Sequence, residues 1–91
     1  MNTNEPHKLE INGVLDLHYF KPEDLSTLVD EFIDACLEKE IYEIRIIHGK
    51  GIGNIRRSVH ALLDRNPHVT GYQLAGPSGG GWGATIANLT P

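Results

Sequence analysis

Very little in these 91 residues could staple the chain, cross a membrane or chelate a metal without help. The one cysteine, Cys36, excludes an internal disulfide and cannot make a zinc site by itself, which fits a reducing compartment. No apolar run approaches the roughly 20 residues that span a bilayer. The opening Met1-Asn2-Thr3-Asn4-Glu5-Pro6 has neither the basic nor the apolar region of a signal peptide. Together these absences predict a soluble, cytoplasmic protein with no membrane partner. Bases are also few, 8 against 12 acids, for a net charge of −4. Nonspecific affinity for nucleic acid comes mainly from Lys and Arg on phosphates, so the balance argues against a purely electrostatic binder.

What is present is an ordinary globular mixture, 40% hydrophobic and 22% charged, of a length for one domain with a modest core. Its net stability should be about 5 kcal/mol. The charge is unevenly spread. Between Pro22 and Glu40 stand seven acids and only Lys39 as a base; between His48 and Arg65 stand Lys50, Arg56, Arg57 and Arg65 with only Asp64 opposed. The two segments could present faces of opposite sign, or simply a solvated mixed surface.

Residues 1–8 are polar and aperiodic and read as a flexible tail, leaving 9–91 as the domain. Val14 to His18 reads as a strand. Lys21-Pro22-Glu23-Asp24 then opens a helix, with proline suited to its first position and acids to its positive end. Leu25, Leu28, Val29, Phe32, Ile33, Cys36 and Leu37 follow at helical spacing, which places Cys36 in the core. Ile41 to Ile47 is β-branched and reads as a buried strand. A glycine loop interrupts it, and a second helix runs from Asn54, a reasonable cap, to Arg65 with Ile55, Val59, Leu62 and Leu63 inward. Asn66-Pro67 stops that helix. Val69 to Ala75 and Gly83 to Leu89 read as strands joined by the turn Gly76-Pro77-Ser78-Gly79-Gly80-Gly81. The order βαβαββ predicts a two-layer α/β sandwich: a four-stranded mixed sheet with two helices on one face.

Open α/β sheets bind ligands at the carboxyl ends of parallel strands. Asp16 and His18 close the first strand and His48 the second, so these three should converge. Gly49, Gly51 and Gly53 let the backbone approach a ligand closely, and the start of the second helix offers free N–H groups to an anion near Lys50, Arg56 and Arg57. The loop matches neither the Walker A pattern nor the dinucleotide G-x-G-x-x-G, because position 54 is Asn. Singly, each feature has a plain structural reading. A histidine at a strand end is commonly structural, and Asp16 could simply form a turn. Tyr19, Tyr72 and Trp82 could stack unpaired bases or pack, Tyr72 rather the latter and Trp82, between glycines, rather the former. His60 and His68 read as surface or packing residues, and His7 lies in the tail.

Taken together, L-D-L-H at 15–18, I-H-G-K-G-I-G at 47–53 and G-G-W-G-A-T at 80–85 resemble the Smr (small MutS-related) domain family in order and spacing, over residues 13 to 89. The resemblance implies the same βαβαββ fold and a nucleic-acid-binding endonuclease acting on DNA or RNA, or else a binding module that has lost catalysis. It directs attention to Asp16, His18 and His48 as catalytic residues. It points to Gly49 and Gly51 of the loop and to the late glycines Gly80, Gly81 and Gly83; with Lys50, Gly53, Arg56, Arg57 and Trp82, read from their position and chemistry, these make up the expected nucleic-acid surface. Where the family usually has Gly after L-D-L-H, this chain has Tyr19, a side chain that could narrow the site, stack a base or mark reduced activity. Two histidines can exchange protons near neutral pH, and the 2′-hydroxyl of RNA would supply the nucleophile. A single divalent cation, magnesium or manganese, held by Asp16 and the histidines is the one cofactor the pattern allows; a two-metal site would want more carboxylates.

Overall fold

The computed structural model describes residues 11–50, 53–76 and 83–91. Six elements follow one another in the expected order: β1 (Val14–Asp16), α1 (Leu25–Glu38), β2 (Glu43–Ile47), α2 (Asn54–Arg65), β3 (Val69–Leu74) and β4 (Ala84–Leu89). The sheet order is β1-β2-β4-β3, with β1 parallel to β2 and β4 antiparallel to both of its neighbours. The N-terminal residues 1–8, with His7, lie outside the described residues.

Periodicity dictates what each element buries. On α1, Leu25, Val29, Phe32, Ile33 and Cys36 are buried, with Leu28 and Leu37 flanking them. On α2 the buried residues are Val59, Leu62 and Leu63, with Ile55 partly covered. These side chains meet Leu15, Ile44, Ile46, Ala87 and Leu89 in one cluster, so both helices pack on the same face of the sheet. Strand alternation explains that set: Ile44 and Ile46 of β2 pair with Ala87 and Thr85 of β4, every second residue pointing inward. A bulge between Val69 and Gly71 shifts the register of β3. The extra residue lets both Val69 and Tyr72 face the core, which simple alternation would forbid.

β2 begins at Glu43, not Ile41, β3 ends at Leu74, not Ala75, and β4 begins at Ala84, not Gly83; three further boundaries differ from expectation for a local reason. β1 stops at Asp16, not His18, because the Asp16 carboxylate accepts the backbone N–H of His18 and curls Leu17–Tyr19 into a 3₁₀ turn. Pro22 opens a second 3₁₀ turn, Pro22–Asp24, which feeds α1. The cap of α2 is Gly53 in the left-handed region at φ +91°, not Asn54, which is already helical and accepts a hydrogen bond from Arg57 Nη2.

Candidate functional site

The parallel pairing of β1 with β2 sets Asp16 opposite Ile47, so the chain leaves both strands at the same edge of the sheet. Asp16 Oδ1 lies 2.6 Å from His18 Nδ1, and the same oxygen accepts the His18 backbone N–H at 3.0 Å. A carboxylate only accepts, so Nδ1 carries the proton and Nε2 is the free nitrogen of the neutral ring. The backbone N–H of His18 is the main cause holding the Asp16 carboxyl below its ordinary pKa; burial opposes it, and the His18 ring adds to the lowering. Both side chains remain open to solvent, at 44% for Asp16 and 56% for His18.

His18 Nε2 points at the glycine loop. A Cβ built on Gly49 would stand 3.5 Å from it. Gly49 has φ +88°, a conformation that disfavours side chains, and it packs against Gly83, whose own Cβ would come within 3.6 Å of the Gly49 backbone and 3.3 Å of Lys50 Cγ. The backbone N–H groups of His48 and Gly49 both donate to the Gly83 carbonyl, at 2.9 and 2.8 Å. Beside this clasp opens a cleft of 510 Å³ lined by Pro22, His48, Gly49, Gly53, Asn54, Ile55, Arg56 and Ser58. The N-terminus of α2 faces it with no side-chain cap, and two guanidiniums flank the cap residue. A Cβ on Gly53 would lie 3.1 Å from Arg56 Nη2 and 3.4 Å from Arg57 Nη1. Unbonded N–H groups of a first turn together with guanidiniums suit an anion such as a phosphate.

The expected convergence therefore takes a particular form. Asp16, His18, Gly49, Gly53, Arg56 and Arg57 gather around one edge, and Lys50 is exposed beside Gly83. His48 precedes the loop but turns inward, almost fully buried, with Nδ1 3.0 Å from the Gly49 carbonyl and Nε2 2.8 Å from Thr85 Oγ1. Tyr19 stands at the rim with 88% of its surface exposed. Gly51, Gly80, Gly81 and Trp82 lie outside the described residues. Among the described residues no group of three or more His, Cys, Asp and Glu is arranged to hold a metal ion. Asp16 Oδ1, moreover, is already engaged by two N–H donors.

Two residues that the sequence leaves without a site role join this region. His60 Nε2 lies 2.8 Å from the Thr85 hydroxyl, and its ring packs on Tyr72 at 4.7 Å and edge-on to His48 at 6.1 Å. Parity was the available signal. His48 has the spacing of buried Ile44 and Ile46, and Thr85 that of Ala87 and Leu89, so both belong to the inner face. Burial is the main cause lowering the His60 pKa, with the neighbouring His48 and Arg56 next and Asp64 opposing. His68, by contrast, ties its ring to the Thr90 carbonyl at 3.1 Å, a packing role.

Residues 15–90 match the family described as Smr domain. Over 82 residues the chain is 38% identical to the endonuclease MutS2 of Halothermothrix orenii, spanning 90% of this chain and 10% of that protein. To the endonuclease MutS2 of Lactobacillus gasseri it is 44% identical over 75 residues, 82% of this chain and again 10% of the relative. The chain thus spans about a tenth of the length of the curated relatives it matches. Among solved structures, the Smr domain of Thermus thermophilus MutS2 is 28% identical and superposes with a TM-score of 0.81, covering 88% of this chain and 100% of that one. YdaL, a stand-alone small MutS-related protein from Escherichia coli, is 33% identical with a TM-score of 0.78, covering 87% and 65%. Among the described residues no helix is long and apolar enough to cross a membrane.

Proposed function

The chain belongs to the Smr domain family, and from that premise we propose that it binds nucleic acid and cleaves phosphodiester bonds in DNA or RNA at the edge where β1 and β2 end. One observation carries the reading: a solvent-open Asp16–His18 pair, 2.6 Å apart, whose free Nε2 faces a glycine loop beside two arginines.

The chemistry follows from those groups. A phosphate settles over Gly49 and Gly53 against the first N–H groups of α2, with Lys50, Arg56 and Arg57 offsetting the charge of the transition state. Asp16 keeps the proton on His18 Nδ1 and stabilises the imidazolium that forms. On RNA, His18 Nε2 removes the proton from the 2′-hydroxyl, whose oxygen attacks phosphorus as the bond to the 5′-oxygen breaks. The leaving oxygen then takes a proton from the imidazolium or from water. His48, with both ring nitrogens engaged, supports the loop and is not a second exchanging group. Tyr19 offers its ring to an unpaired base next to the reacting phosphate. The curated relatives carry the name endonuclease, which agrees with this reading.

The test is incubation of the purified protein with labelled single-stranded RNA and with branched DNA, with and without chelator, beside His18→Ala. Cleavage that survives chelation and is lost in the variant is the expected result. Substrates that shift with salt-sensitive affinity but stay whole would instead make the domain a binding module, the reading its net charge of −4 favours. Cleavage abolished by chelator would restore magnesium or manganese to the mechanism.

A further inference from the structure

Behind the exposed pair runs a buried polar line that the proposed chemistry leaves unused. Thr85 on the inner face of β4 is 0% exposed, and its hydroxyl lies 2.8 Å from Nε2 of His48 and 2.8 Å from Nε2 of His60. The hydroxyl has one proton, which it gives to a single imidazole. The far end decides which. His48 Nδ1 faces the Gly49 carbonyl, a group that only accepts, so Nδ1 holds the ring proton and Nε2 of the neutral ring is bare. Thr85 therefore donates to His48 and accepts from His60. The line has one direction: His60 to Thr85 to His48 to the Gly49 carbonyl. Its origin is braced, since Tyr72 packs on the His60 ring and donates its own hydroxyl proton to Asp64 at 2.8 Å.

We propose that His60 and Thr85 are positioning residues which, through this one-way line of hydrogen bonds, fix the Gly49 peptide beside His18 Nε2. The inference rests on reading His18 as the proton-transfer group. Gly49 is the point where the two meet. Its amide is held by the Gly83 carbonyl at 2.8 Å, its own carbonyl by His48, and its α-carbon packs near the catalytic nitrogen. Removing a member of a buried polar line strands its neighbours without partners, so the His48 ring loses its setting and the peptide with it. The charged and titratable groups around the line are Arg56 and Asp64 on α2, Tyr72 on β3, and Lys50 and His18 at the loop.

The experiment pairs long-range proton–nitrogen imidazole spectra of the whole chain with turnover of single-stranded RNA, in wild type, Thr85→Val, Thr85→Ser, His60→Phe and His60→Gln. The serine keeps the hydroxyl and the glutamine keeps an N–H donor, whereas the valine and phenylalanine keep only shape. At neutral pH the wild type should show His48 protonated on Nδ1 and His60 on Nε2, and Thr85→Val should release His60 into mixed tautomers. Thr85→Val and His60→Phe should lower kcat about tenfold with KM within roughly twofold, and Thr85→Ser and His60→Gln should recover it. The reverse tautomers in wild type, or a Thr85→Val protein with unchanged imidazole signals and unchanged turnover, would overturn the proposal. If Thr85→Val does not fold, the wild-type tautomers and the two His60 variants decide. A wild type that cleaves none of the substrates removes the nuclease reading, while the spectra still confirm or refute the line.

Discussion

Asp16 does two things with one oxygen. Its Oδ1 bends the chain by accepting the His18 amide and orients the ring by accepting Nδ1–H, so the turn-forming and the catalytic readings of this residue describe the same atom. Tyr19, the last residue of the turn that the carboxylate begins, is its opposite, a side chain exposed to solvent. Replacing it by Ala should leave the melting temperature unchanged and weaken single-strand binding about tenfold, within the range of one base stacked on one aromatic ring. The slope of affinity against salt should stay the same, because no phosphate contact is lost; titrations at three salt concentrations would show it, and equal affinity for both proteins would remove the stacking role. The sequence makes Asp16, His18, the glycines and the arginines legible because motif and charge are local. It hides the His60–Thr85 contact, since those residues are 25 positions apart and meet only through the packing of α2 on the sheet. His48 was half legible: its place beside the loop follows from order, its inward turn only from strand parity.

At the scale of elements, hydrophobic period carried most of the fold. The stripe of α1 and the alternation of β2 each specify one buried face, and all six elements stand where those periods put them. What the periods missed lies at the ends, where single side chains compete with the backbone, as at Asp16 and Gly53. The face that α2 turns to the sheet also makes stability depend on pH. Burial lowers the His60 pKa in the folded protein, so between that value and the unfolded value of about 6.5 the unfolded chain binds more protons. The contribution is fully present above pH 6.5 and is lost as pH falls through the folded pKa. Thermal melts from pH 7.5 down to 5 should show a falling melting temperature, and a shallower fall in His60→Phe. Identical slopes in both proteins would exclude His60 as the titrating group.

Across the whole molecule, charge is sorted by element. Asp30, Glu31, Asp34 and Glu38 are exposed along α1, whereas Arg56 and Arg57 flank Gly53 where α2 begins and Lys50 is exposed beside Gly83. A net charge of −4 need not oppose binding when the contact is confined to the basic edge. If those three cations each meet a phosphate, the logarithm of affinity for single strands should fall with the logarithm of salt at a slope of about −2. Fluorescence anisotropy between 50 and 200 mM salt, on the order used to resolve such slopes, would measure it. A slope near zero would show that the basic edge does not touch phosphate. The sheet order has a consequence in time as well. β4 follows β3 in the chain yet lies between β3 and β2, so it is the last of the described strands to leave the ribosome and the one that joins the two halves. Gly83 and Thr85 arrive with it, and with them both grips on the glycine loop. A nascent chain that has reached only β3 carries its aspartate and histidine but not the clasp they lean on, so the site is completed only by the arrival of that one further strand.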